Sequence, residues 1–189
     1  MKVVRVAIIG GGPAGAACAR TLVKAGVDCL VLDKAAFPRS KVCAGWLTPD
    51  VFRDLVIDPS EYPLPLTTFN YLKIYLGGLP IVLPGKQYAI RRIEFDDWLL
   101  RTSGAEFIQH EVKEIQFIAG RFLIDDQFSA DYLVGAGGTH CPVRRQLFQD
   151  QPVRQGTQII SLEEEYKYDW QDPHCHLWFF NRSLPCLLY

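Results

Sequence analysis

The sequence predicts an α/β protein that opens on a β-α-β unit and continues into a hairpin and further short strands. Three observations lead there. A β-branched run, Lys2-Val-Val-Arg-Val-Ala-Ile-Ile, ends in glycine. A stretch of small helix formers follows it directly. Later, short apolar segments separated by turn residues recur at strand length.

The opening run reads as a buried parallel strand, because it is apolar on both faces. Pro13 to Ala25 supplies Ala14, Ala16, Ala17, Ala19 and Leu22 for a helix, and Gly26 closes it. Val27 to Leu32 is a second strand. Pro38, Pro49, Pro59, Pro63 and Pro65 then punctuate an irregular stretch with room for one short helix near Asp50–Val56. Phe69–Leu76 and Leu79–Leu83 flank Gly77-Gly78, a hairpin signal. Ile93 to Ser103 is an amphipathic helix with Phe95, Trp98 and Leu99 on one face. Strands are expected at Glu106–Gln109, Val112–Phe117, Arg121–Ile124 and Tyr132–Gly135, and a short helix at Val143–Phe148. Two further strands fall at Gln158–Tyr166 and His176–Phe180. There are no internal repeats. The apolar tail Leu184-Pro-Cys-Leu-Leu-Tyr189 ends abruptly, which reads as an interrupted domain.

Composition removes several function classes. With 20 Lys+Arg against 21 Asp+Glu, the net charge is −1, which gives no electrostatic reason to bind nucleic acid or an anionic membrane. At 49% hydrophobic and 22% charged residues the chain is globular rather than disordered. Its apolar runs are too short for a transmembrane span, so a soluble, cytoplasmic protein is expected. The six cysteines include no C-x-x-C pair and read as reduced. His174 and His176 would share a strand face with Cys175 turned away. With no carboxylate or second thiol in view they make a poor zinc site, so no metal is expected.

Gly10-Gly-Gly-Pro-Ala-Gly15 satisfies G-x-G-x-x-G in the context that gives the pattern meaning, after a strand and at the start of a helix. Gly10 permits the tight turn, Gly12 lets the backbone approach a pyrophosphate, and Gly15 lets helix and strand pack closely. Asp33, at the end of the second strand, can accept hydrogen bonds from a ribose 2′-hydroxyl and would repel a 2′-phosphate. This disfavours NADP in the site and leaves NAD or the ADP half of FAD. The plainer alternatives are a structural turn and a solvated strand-end carboxylate.

Residues beyond this unit carry a resemblance. Phe37-Pro-Arg-Ser-Lys-Val-Cys-Ala-Gly-Trp-Leu-Thr-Pro49 resembles the segment after the second strand in geranylgeranyl reductase-like flavoproteins. Their broader group includes p-hydroxybenzoate hydroxylase-like monooxygenases and flavin-dependent halogenases. Arg92-Ile-Glu-Phe-Asp-Asp-Trp-Leu99 is similar to that group's R-x-x-F-D-x-x-L helix, and Asp131 to Arg145 to its third FAD segment. The resemblance implies a Rossmann-like FAD-binding domain over 1–63 and 84–150. Residues 64–83 and 151–189 would be parts of an incomplete antiparallel β substrate domain. It further implies that Pro13, Ala14, Asp33 and Lys34 lie at the ADP portion and that Cys43, Ala44, Gly45 and Trp46 lie near the isoalloxazine. Arg92 would meet the phosphates or ribityl chain, Val112 would face adenine through its backbone, and Gly137 and Gly138 would close the cofactor loop. Cys43 is the candidate catalytic residue, and its plainer alternative is a small buried hydrophobe. For Arg92 the alternative is a surface charge at a helix start.

Two departures stand against the pattern. Gly137 occupies the place where the family's G-A-D-G usually has Asp, and the family's members are about twice this length. The activity implied is FAD-dependent reduction of carbon–carbon double bonds in an isoprenoid or similar apolar substrate, with NAD(P)H as a candidate external reductant. The alternatives are a monooxygenase or halogenase, or an inactive nucleotide-binding fragment. A second chain supplying the missing half and peripheral membrane contact are the partners left open.

Overall fold

The structure is a computed structural model, which describes residues 1–150, 162–167, 169 and 171–179. The chain divides into two compact units, Met1–Ser40 with Ile93–Ile159, and Lys41–Arg92 with Ile160–Tyr189. These divisions differ from the expected ones. Residues 41–63 and 84–92 pack with the inserted sheet, because β-strands there pair with that sheet.

The first unit is built on β1 (Lys2–Ile9), α1 (Pro13–Lys24) and β2 (Cys29–Asp33). From Val6 onward every residue of β1 is buried, as a central parallel strand requires. Gly15, Ala16 and Ala19 form the buried face of α1, where small side chains let the helix lie close to the sheet. Gly26, with φ +71, follows the helix end.

The second unit contains β3 (Trp46–Leu47), α2 (Pro49–Leu55), and the long strands β4 (Thr67–Leu76) and β5 (Leu79–Ala89). Gly77 and Gly78 both have positive φ, as a two-residue hairpin of this hand needs. β5 runs past the expected end at Leu83, through Pro84, which is aligned with Tyr71 beside a bulge that gives β5 one extra residue between Pro84 and Gln87. Among the described residues this sheet has the order β10-β4-β5-β3, with β10 (His174–Phe179) parallel to β4. The expected strand at Gln158–Tyr166 is not found over residues 162–166, and residues 158–161 lie outside the described residues, as does Phe180.

The chain next forms α3 (Arg92–Arg101), β6 (Glu106–Gln109), β7 (Ile115–Ile118), β8 (Arg121–Ile124), β9 (Phe128–Gly135) and α4 (Pro142–Leu147). The first sheet has the order β6-β2-β1-β9-β8-β7, parallel from β6 to β9 and antiparallel beyond. Its core joins Val4, Ala7, Ile9, Leu30, Leu32 and Ile124. β7 starts later than expected and β9 earlier, because Asp125 and Asp126 take left-handed backbone and make the turn.

Asp125 is the fastener of this corner. Its carboxylate accepts the backbone N–H of Glu114 at 2.7 Å and of Lys113 at 3.1 Å, and His110 Nε2 lies 2.6 Å away. Burial works against the anion, but His110 and the two amides outweigh it and hold the carboxyl below its usual range. Asp125→Ala is expected to lower unfolding stability by about 2–3 kcal/mol, since several donors lose a charged acceptor. Because the folded value is depressed, the stabilisation is complete above the ordinary aspartate range. It drains as pH falls through the depressed value. Urea unfolding of parent and variant across acidic pH checks both statements: an equal pH slope in the two would contradict the assignment.

Candidate functional site

β1 connects to β2 on one side and pairs with β9 on the other, so the carboxyl ends of β1 and β9 meet at the point where strand order reverses. Open α/β sheets bind ligands at such points. Ala136 N–H donates to Ile9 O at 2.8 Å and Gly10 N–H to Leu32 O at 2.7 Å, tying the three strand ends together.

The glycines divide by what surrounds them. A Cβ at Gly10 would lie 2.4 Å from Ala136 O, and one at Gly15 would lie 1.8 Å from Gly10 O. Both positions are closed to any side chain. Gly12 differs: it caps α1, and a Cβ there would meet only the tip of Arg39, Nη2 at 3.1 Å. The backbone is therefore bare at the helix N-terminus, where Pro13 starts the helix and Ala14 is exposed.

Asp33 stands beside this loop. Its Oδ2 accepts Gly11 N–H at 2.7 Å and its Oδ1 accepts Ala35 N–H at 2.9 Å. Each oxygen retains a further lone pair for a ribose hydroxyl. Lys34 is exposed, and its carbonyl accepts from Gln109 Nε2 at 3.3 Å. His110 N–H donates to Asp33 O at 2.8 Å, so the segment leading to Val112 runs past the end of β2. Val112 itself turns its side chain into the core.

Sequence reasoning overlooked Arg39. Its guanidinium lies over the Phe37 ring at 4.9 Å and its Nη2 is 3.7 Å from Oδ2 of the fully buried Asp96. A cation thus stands at the open side of Gly12. The signal was present, since Arg39 lies in the segment after β2 and Asp96 is the Asp of R-x-x-F-D-x-x-L, but nothing local pairs them.

Gly137 and Gly138 precede α4. Gly138, with φ +70, has open space around it, whereas a Cβ at Gly137 would lie 3.1 Å from Cys141 Cα and 3.3 Å from its Sγ. Cys141 fills the room that an aspartate at residue 137 would need. A cavity of about 390 Å³ lies beside β9 and α4, with Gly135, Gly138 and Cys141 in its lining.

The remaining candidates belong to the second unit. Cys43 is half-buried and its N–H donates to Glu163 at 2.9 Å; Ala44 is exposed. Gly45 has φ +69, and a Cβ there would lie 1.8 Å from Ile90 O, so this turn also requires glycine. Trp46 starts β3 and its indole N–H donates to Gln87 Oε1 at 2.5 Å. Arg92 is the half-buried first residue of α3. The structure brings together the glycine loop, Asp33, Lys34, Gly137 and Gly138.

One premise fails. His174 and His176 do have a carboxylate beside them, Asp172, hydrogen-bonded to both rings at 2.5 and 2.9 Å. Among the described residues no helix is long and apolar enough to cross a membrane.

Residues 5–87 match the family described as FAD dependent oxidoreductase. An uncharacterized protein of Methanosarcina barkeri is 36% identical over 155 residues, covering 77% of this chain and 40% of that protein. A menaquinone reductase of Mycobacterium tuberculosis is 48% identical over 100 residues, 49% of this chain and 24% of the relative. Digeranylgeranylglycerophospholipid reductase 2 of Methanopyrus kandleri is 30% identical over 96 residues, 50% and 24% of the two chains. Among solved structures, the flavin-dependent halogenase CmlS superposes with a TM-score of 0.64 at 25% identity, over 78% of this chain and 32% of its own. The chain thus spans well under two thirds of the curated relatives it matches.

The residues present fit FAD: a bare helix N-terminus for the pyrophosphate, a carboxylate at the end of β2, and a cation at the loop's open side. Residues 5–87 match the FAD dependent oxidoreductase family, and the chain shares the fold of larger proteins that include a geranylgeranyl bacteriochlorophyll reductase-like protein of Thermoplasma acidophilum.

Proposed function

We propose that the complete protein reduces carbon–carbon double bonds of an isoprenoid or similar apolar substrate. The observation that carries this reading is the 48% identity over 100 residues to a menaquinone reductase. The match to a digeranylgeranylglycerophospholipid reductase supports it. Bound FAD supplies the hydride chemistry, and the protein supplies orientation and exclusion of water. In this reading the bare amides at Gly12 and the Arg39 guanidinium hold the pyrophosphate, while Asp33 holds the adenosine ribose. Cys43, Ala44, Gly45 and Trp46 border the flavin ring, where the left-handed turn at Gly45 keeps the backbone slim, and Arg92 serves the phosphates or ribityl chain. NAD(P)H is the external reductant.

The halogenase neighbour favours the rival reading, oxygen-dependent chemistry on the same cofactor. The complete protein, photoreduced without oxygen, should be reoxidised by a polyprenyl lipid and yield a product two mass units heavier per reduced bond. Substrate-stimulated oxygen consumption with no anaerobic turnover would overturn the proposal and assign the rival.

A further inference from the structure

We infer that Asp172, His174 and His176 form a binding site for one divalent metal ion of the zinc class. The site lies on β10 in the second unit and does not depend on the flavin reading. Strand alternation puts His174, His176 and Trp178 on one face, with Cys175 and the buried Leu177 on the other. β4 places Tyr71, Lys73 and Tyr75 in register beside them. Tyr71 lies 5.7 Å from the His174 ring, and Tyr75 and Trp178 lie 5.6 and 5.3 Å from the His176 ring, so aromatic walls restrict both imidazoles. Lys73 leans over the Tyr75 ring, 5.8 Å from its centre.

Asp172 completes the set because Pro173 biases it toward extended backbone, and the carboxylate then folds back to accept His174 N–H at 2.9 Å. Its two oxygens reach different rings, Oδ1 to His174 Nδ1 at 2.5 Å and Oδ2 to His176 Nε2 at 2.9 Å. One donor atom from each residue lies within 4.8 Å of the others. A tetrahedral ion with bonds near 2.1 Å spaces its ligands about 3.4 Å apart, so the carboxylate gaps need widen by only about 0.5–1 Å. The ion would replace the protons now shared between carboxylate and rings. Two imidazoles and one carboxylate suit zinc, cobalt or iron(II) rather than magnesium or calcium. Side-chain exposures of 27%, 11% and 32% leave a path for the ion and a fourth position for water.

The test uses the untagged chain stripped of metal, titrated calorimetrically with zinc and followed by visible absorption with cobalt. One equivalent of zinc should bind, and cobalt should give the intense ligand-field bands of a low-coordinate site. His176→Ala and Asp172→Asn should each weaken zinc by tenfold to a hundredfold or more with unchanged circular dichroism, as about that much follows loss even of an outer ligand. Cys175→Ser should bind like the parent. No stoichiometric zinc at micromolar concentration in a folded chain would reduce the triad to a hydrogen-bonded clamp and overturn the inference. Unchanged binding in His176→Ala, or loss in Cys175→Ser, would overturn it equally. FAD retention should be the same in all four proteins, so this result and the flavin reading stand or fall separately.

Discussion

Gly12→Val should cost FAD at least about a hundredfold in affinity while leaving the fold intact. The pyrophosphate needs the bare amides at the start of α1, and a branched side chain would occupy its space. Losing two hydrogen bonds to a charged group amounts to roughly 3–6 kcal/mol, which exceeds a hundredfold. The protein itself has little to lose at this position. Gly12 has φ −69 and ψ −176, ordinary extended backbone, and its added Cβ meets only the flexible tip of Arg39. Gly15→Val is the contrasting case. Its Cβ would lie 1.8 Å from Gly10 O, so α1 must lift off β1, and the first unit should unfold at markedly lower denaturant. Flavin fluorescence titration and urea unfolding of the two variants should separate ligand space from packing space. A Gly12→Val protein that retains FAD at parental affinity would show that the cofactor phosphates lie elsewhere.

Asp33→Ala should weaken both the loop and the cofactor. The carboxylate accepts Gly11 N–H and Ala35 N–H. Removing it leaves two amides beside the site without an acceptor, at about 1–3 kcal/mol each. FAD affinity should fall about tenfold to a hundredfold, since the ribose loses its acceptor while the loop loses its brace. Asp33→Asn, which keeps one acceptor oxygen, should fall between parent and alanine on both measurements. If Asp33→Ala matches the parent in stability and in FAD titration, the carboxylate serves neither role.

The parts of the fold legible in the sequence are those whose cause is local. β6 and β8 fall where the short apolar runs put them, and α1 begins at Pro13 and ends beside Gly26. What escaped was decided by distant partners. β5 continues past Leu83 through Pro84 because its own extra residue at Gly85–Lys86 forms a bulge there, and pairing with β4 resumes on either side of it. β3 has two residues and exists only because Ala89 and Tyr88 lie opposite. The same division holds in the site. The glycine loop and Asp33 announce themselves by spacing, whereas Arg39 and Asp96 are joined only by folding. Asp172 has only the Asp-Pro pair before β10 as its signal, because its approach to both imidazoles depends on the carboxylate folding back onto the strand.

The pairing of β1 with β9 bears on how this protein is made. Lys2 is aligned with Phe128 and Ile9 with Gly135, and the whole second unit's hairpin lies between them in the chain. During synthesis β1 and β2 can come together early, but the other edge of β1 stays without a neighbour until most of the chain has left the ribosome. For that interval Val4, Val6 and Ile8 present an unpaired apolar strand. The nascent chain should therefore engage trigger-type chaperones until residue 135 is exposed, and slow decoding within 41–92 would prolong that vulnerable interval.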